Sequence, residues 1–156
     1  MDEFIQLTKQ LITLLTFPDH QLEGKQEDDC LSLTLTLPNE DSGILIGYRG
    51  EKIDALQFIL NLLHNQKNIS YEPVNLDING YRQRRTESLH RLADKALLKA
   101  IDSGREIILP PLPSYERRII HIYLSQKSEV TTYSEGEGLN RRLVVRPSTV
   151  ENLTVK

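Results

Sequence analysis

Residues 42–64 constrain this chain more than any other stretch. The apolar triplet Ile44-Leu45-Ile46 runs into Gly47-Tyr48-Arg49-Gly50, and that loop runs into a helix-patterned segment. Two glycines bracketing only two residues let the backbone take positive φ and let another backbone approach where any Cβ would collide. Beyond them, Ile53, Leu56, Phe58, Ile59, Leu60, Leu62 and Leu63 recur at three- and four-residue spacing, which predicts a helix with a wide buried face. The loop therefore abuts a helix N-terminus. First-turn amides and the positive end of the helix dipole favour an anion there, with Arg49 and Lys52 adding charge.

A bare Gly-x-x-Gly also serves as a plain turn that opens a helix. Its setting separates the two readings: between an apolar triplet and a long apolar helix, the loop resembles that of a KH domain, which clamps about four nucleotides of a single strand. The order of elements agrees. Phe4, Leu7, Leu11, Leu14 and Leu15 predict an amphipathic helix over residues 2–16, ended by Pro18. The acidic segment 20–29 reads as an irregular edge strand. Leu31, Leu33, Leu35 and Leu37 alternate with Ser32, Thr34 and Thr36, a strand with one buried face, and Cys30 is expected to be a small residue of that strand. Residues 38–42 break the pattern, and 69–78 read as a third strand in which Pro73 favours an edge. Helix, two strands, short helix with loop, long helix and final strand is the order of a type II KH domain, here residues 1–78.

The second half opens with Asn79 as the expected N-cap of another long helix. Its inner stripe is Tyr81, Arg85, Leu89, Leu92, Ala93, Ala96, Leu97, Ala100 and Ile101, and Gly104 follows its end. Arg84, Arg91, Lys95 and Lys99 lie outside, interleaved with Glu87, Asp94 and Asp102 as a solvated, paired face. A short strand at 106–109, the stiff connector Pro110-Pro111-Leu112-Pro113, a helix at 114–124 and a strand pair at 130–133 and 141–146 complete the chain. The expected class is α+β in two small domains, the second with a small sheet and two helices. Net charge is −3, but the halves differ. Residues 1–78 hold five basic and thirteen acidic side chains, whereas 79–156 hold fourteen basic and nine acidic. The second half is the electropositive one, suited to a polyanion.

Arg117 and His121 are four apart and share a helix face. A guanidinium fork holds phosphate or stacks on a base, and imidazole can hydrogen-bond or stack. A structural histidine closing a local network accounts for the same pair. The wider pattern adds information. Tyr81-Arg82-Gln83-Arg84-Arg85, Leu92-Ala93, the run from Leu109 through Pro113-Ser114-Tyr115-Glu116-Arg117-Arg118 to His121, Ser134-Glu135-Gly136-Glu137-Gly138-Leu139-Asn140-Arg141-Arg142 and Val144-Val145 resemble the R-x-x-x-H domain of the bacterial Jag (SpoIIIJ-associated) family. Ile46-Gly47-Tyr48-Arg49-Gly50-Glu51 with Asp54-Ala55-Leu56-Gln57 resembles the KH domain of the same family, in the same order.

That resemblance implies a cytoplasmic, non-enzymatic binder of single-stranded nucleic acid, chiefly RNA, with single-stranded DNA left open as a second ligand. It implies post-transcriptional regulation linked to cell-envelope growth or sporulation, sometimes beside a small stand-alone KH protein as partner. Carried onto this chain, Gly47, Tyr48, Arg49 and Gly50 become the phosphate clamp, supported by Lys52. Arg117 and His121 become the signature pair, with Arg118, Arg141 and Arg142 extending the footprint over residues 79–156. Tyr48 stands where a basic residue is usual, and Asp41, Glu51 and Asp54 are near it in sequence, so a weaker hold on phosphate is expected; stacking on a base and plain exposure to solvent account equally for Tyr48. No room is left for the extra amino-terminal domain common in the family, so membrane and assembly roles are not expected.

Composition narrows the alternatives. One cysteine excludes an internal disulfide and a multi-thiolate zinc site, and no metal or cofactor is expected. No apolar run has the length of a signal peptide or a membrane span, which predicts a cytoplasmic protein without membrane insertion. Glu116, Arg118 and His121 can be cast as acid, clamp and base, but no paired carboxylates, nucleophile elbow or ligand cluster accompanies them. The Gly-x-Gly at 136–138 lacks the third glycine and the following helix of a phosphate loop. The acidic first half favours one other class, a protein-interaction module on a KH scaffold. Oligomeric state is not encoded legibly.

Overall fold

The computed structural model describes residues 2–66 and 71–148, and the chain divides into two compact units, Met1–Arg82 and Gln83–Lys156. The first unit runs α1 (Asp2–Leu14), β1 (Gln21–Gln26), β2 (Leu31–Thr36), α2 (Asn39–Ile46), a 3-10 turn (Tyr48–Gly50), α3 (Glu51–Asn65) and β3 (Val74–Ile78). β1 pairs antiparallel with β2, and β3 pairs parallel on the other side of β2. A parallel pair needs a helical crossover, and α2, the loop and α3 supply it. This is the type II KH order. β3 begins just after Pro73, whose carbonyl accepts the Leu31 N–H at 2.9 Å; Ile69 and Ser70 of the predicted strand lie outside the described residues. The alternating leucines of β2 are buried with Ile12, Ile53, Leu56, Leu60 and Leu76.

Three expectations are corrected here. The face of α1 toward the core is Phe4, Ile5, Thr8, Leu11 and Ile12, while Leu7, Leu14 and Leu15 are exposed. Thr8 tolerates full burial because its hydroxyl donates to the Phe4 carbonyl at 2.9 Å. Cys30 lies in the turn before β2, where its carbonyl accepts the Glu27 N–H. Along α3, only Ile53, Leu56 and Leu60 are buried; Phe58, Ile59, Leu62 and Leu63 are exposed. A three-stranded sheet covers one helix stripe, and the apolar pattern of α3 is wider than that stripe.

The helix α4 (Tyr81–Ser103) begins in the first unit and continues into the second, which adds β4 (Ile107–Ile108), α5 (Ser114–Ser125), β5 (Val130–Glu135) and β6 (Arg142–Pro147). The sheet is antiparallel in the order β4-β6-β5. Leu89, Ala93, Ala96 and Ala100 of α4 join Ile120, Leu124, Leu143 and Val145 in one core. Ile101 falls outside it and is exposed. Asn79 is not the cap of α4. It sits at φ 51° and its amide both accepts the Leu37 N–H and donates to the Leu37 carbonyl, at 2.9 and 2.8 Å. The Asp77 carboxylate takes the capping role instead, accepting Gly80 N–H at 2.7 Å and Arg82 N–H at 3.1 Å.

Candidate functional site

Gly47 and Gly50 have φ of 74° and 86°, and Arg49 between them has 52°. A Cβ on Gly47 would lie 2.6 Å from Lys52 Cγ, and one on Gly50 would lie 2.9 Å from the Tyr81 ring. Glycine is thus required at both positions by conformation and by space. The Lys52 stem crosses Gly47, and its ammonium donates to the Ile44 carbonyl at 3.0 Å, placing its charge at the C-terminal end of α2 where a cation is favourable. Tyr48 is 68% exposed, with the Arg49 guanidinium 4.9 Å from its ring centroid, a cation–π pair. No side chain caps the Gly50 end of α3. An exposed ring and a guanidinium therefore precede a helix N-terminus whose amides favour an anion.

Beside this loop lies a feature that the sequence reading missed. β3 is an edge strand, and the outward N–H and C=O groups along it and just before it include those of Glu72, Val74 and Leu76. Asn65 pairs both groups of Glu72 at 2.7 and 2.8 Å, and Asn61 pairs both groups of Val74 at 3.0 and 2.8 Å. Gln57 accepts the Leu76 N–H at 3.0 Å, and Arg82 Nε donates to the Leu76 carbonyl at 2.9 Å. Arg82 also reaches Gln57 Oε1 at 2.7 Å and Asp54 at 3.5 Å. Amides at four-residue intervals, Gln57, Asn61 and Asn65, among the apolar residues of α3 are the sequence signal of this seam. At its far end the Tyr71 hydroxyl donates to Asn61 Oδ1 at 3.2 Å.

In the second unit, the Arg85 fork binds Glu116 through Nε and Nη2 at 2.6 and 2.8 Å, and Glu116 is fully buried. Such a bidentate pair fixes the first turn of α5 against α4. It also removes Glu116 from any acid–base trio with Arg118 and His121. Arg117, next to it, donates to the Leu112 carbonyl at 2.6 Å and approaches the Arg141 carbonyl at 3.5 Å. The guanidinium thereby ties the proline connector to the turn before β6. His121 is exposed, with Nδ1 2.5 Å from Thr132 Oγ1 on β5. That contact leaves Nε2 for another partner. Thr132 was invisible in the sequence, since nothing local marks which strand residue will face the preceding helix. Arg118, Arg141 and Arg142 are exposed, and Arg142 lies opposite Glu135 in the ladder.

Two carboxylates outside these groups are held below their usual range. Glu72 is lowered first by its hydrogen bond with His64, at 2.7 Å, and next by Gln26. Glu106 is lowered chiefly by Arg146, against a smaller opposing effect of desolvation, with further help from the Tyr133 hydroxyl at 3.1 Å. Both groups lock strand edges rather than the loop.

Comparison with known proteins finds two domain families in the chain. The family model described as KhpA/KhpB, KH domain, matches residues 6–76, and the model of the R-x-x-x-H domain matches residues 87–147. Over 112 residues the chain is 39% identical to the RNA-binding protein KhpB of Lactiplantibacillus plantarum, covering 72% of this chain and 35% of that protein. It is 39% identical to KhpB of Clostridium symbiosum over 72% of this chain and 51% of that protein. The same identity holds with KhpB of Bacillus subtilis, over 70% of this chain and 53% of the relative. The match thus spans between about a third and a half of these relatives' own length. Among the described residues, no helix is long and apolar enough to cross a membrane.

Proposed function

With a KH domain of the KhpA/KhpB type followed by an R-x-x-x-H domain, the chain has the two-domain arrangement of the Jag family, and from that premise we propose that it binds single-stranded RNA. The observation that carries the reading is the Gly47–Gly50 loop: positive-φ glycines, an exposed Tyr48–Arg49 pair, and a helix N-terminus without a capping side chain. The loop holds the phosphate backbone, and Arg117, Arg118, His121, Arg141 and Arg142 extend the footprint in the basic second unit. RNA-binding proteins named KhpB among the relatives support the substrate class. The chain acts as a binder rather than a catalyst, in the cytoplasm, in post-transcriptional regulation tied to envelope growth or sporulation.

The exposed apolar side of α3, with Phe58, Ile59 and Leu62, favours a second role for the same unit. It is the surface on which a small stand-alone KH protein would seat. Charge asymmetry between the halves supports this split, since the acidic first unit gains little from polyanion attraction alone.

The test is fluorescence anisotropy of a labelled mixed-sequence RNA with the unchanged protein, with Tyr48→Asp and Arg49→Asp combined, and with Arg117→Ala and His121→Ala combined. Circular dichroism controls for folding. Loss through the loop pair alone assigns the clamp to the KH unit; loss through both pairs assigns one shared footprint. Absence of binding by the unchanged protein at low salt overturns the RNA reading in favour of the protein-interaction one.

A further inference from the structure

A strand edge offers alternating N–H and C=O groups that match the donor and acceptor atoms along a base's Watson–Crick edge. In this protein three successive outward positions along the β3 edge are closed: Gln57, Asn61, Asn65 and Arg82 occupy both backbone groups of Glu72, Val74 and Leu76. Freeing one would leave buried polar groups unpaired at Val74, which is 1% exposed. A single strand led from the loop along this seam finds the backbone of these three residues already paired and not open to its bases. It does find rings. Tyr48 stands at the loop, and Tyr71, 72% exposed, is hooked to Asn61 by its hydroxyl. Asn61 lies ten residues beyond the start of α3, about 15 Å along the axis at ~1.5 Å per residue. That distance is roughly four steps of a stacked strand at ~3.4 Å each, and a KH loop holds about four nucleotides.

We propose that Tyr71 is a second stacking platform of the KH unit, and that this unit holds RNA by phosphate contact and stacking with little discrimination among bases. The proposal rests on the RNA reading given above and deepens it. Stacking is sequence-tolerant because every base presents a π face. The hydroxyl bond to Asn61 orients the ring rather than binding the ligand.

The chain has no tryptophan, so Tyr71→Trp introduces a single fluorescent reporter at the platform. The probes are 8-nucleotide oligo(U), oligo(A) and oligo(C), titrated against the full chain carrying Arg117→Ala and His121→Ala to remove the contribution of the second unit. All three RNAs should quench the tryptophan and should bind within about threefold of one another. Tyr71→Ala should weaken binding about tenfold, while Tyr71→Phe, which keeps the ring and loses the hydroxyl, should stay within about threefold of the parent. RNA binding that needs the loop pair but neither quenches the tryptophan nor responds to Tyr71→Ala overturns this inference and leaves the RNA reading standing. A preference of thirtyfold or more for one oligonucleotide likewise overturns it. No binding of any oligonucleotide, by this variant and by the unchanged chain alike, overturns both.

Discussion

At Gly50, two independent constraints meet in one residue. A positive φ of 86° costs any L side chain roughly 1–2 kcal/mol, and a Cβ there would press on the Tyr81 ring at 2.9 Å. Gly50→Ala should therefore lower the thermal midpoint by several degrees and abolish loop-dependent RNA binding, as read by calorimetry and anisotropy. Retained stability with retained binding would show that the loop does not need this geometry. Glu72 and Glu106 define a second residue-scale effect. Both are lowered in the folded protein from the usual value of 4.5, so the unfolded chain binds protons first as pH falls. Their stabilisation is present above that value and is lost as pH drops through the lower folded one. Urea midpoints between about pH 5 and pH 3 should fall with acid, and Glu72→Gln with Glu106→Gln should flatten that slope.

Among the elements, α5 depends on a partner that its own sequence does not contain. Arg85 of α4 satisfies the buried Glu116 bidentately, and removing one member of such a pair leaves the other charge uncompensated. Arg85→Ala should destabilise the protein by about 3–5 kcal/mol, measured by urea unfolding. Arg85→Met with Glu116→Leu should recover much of that loss, because two apolar side chains need no counter-charge. Equal loss in single and double variants would show that packing, not charge, sets the cost. The same logic explains α3, whose polar stripe of Gln57, Asn61 and Asn65 is spent on the edge of β3 rather than on solvent.

Over the whole molecule, charge is divided unequally, with the basic surplus in residues 79–156. If three phosphates are neutralised, the slope of log affinity against log salt should be about −2 on single-stranded RNA. Arg117→Ala with Arg118→Ala, removing two phosphate contacts, should make that slope shallower by about 1.4. A slope near zero for the unchanged protein would assign binding to stacking and apolar contact alone.

Period-two leucines in β2, the paired glycines and the helical spacing of apolar residues were enough to indicate the α+β class and the loop, while the order of the two domains came from the longer motif runs that resemble the Jag family. Each is a local signal: alternation, φ freedom and helical spacing act within a few residues. The core-facing side of α1, the partial exposure of α3 and the capping of α4 by Asp77 instead of Asn79 were decided by tertiary structure. Which apolar stripe is buried depends on how much sheet is available to cover it. Thr132 against His121, Tyr81 against Gly50 and Tyr71 against Asn61 are contacts between residues separated by 11, 31 and 10 positions, respectively, and only the folded backbone sets such pairs side by side.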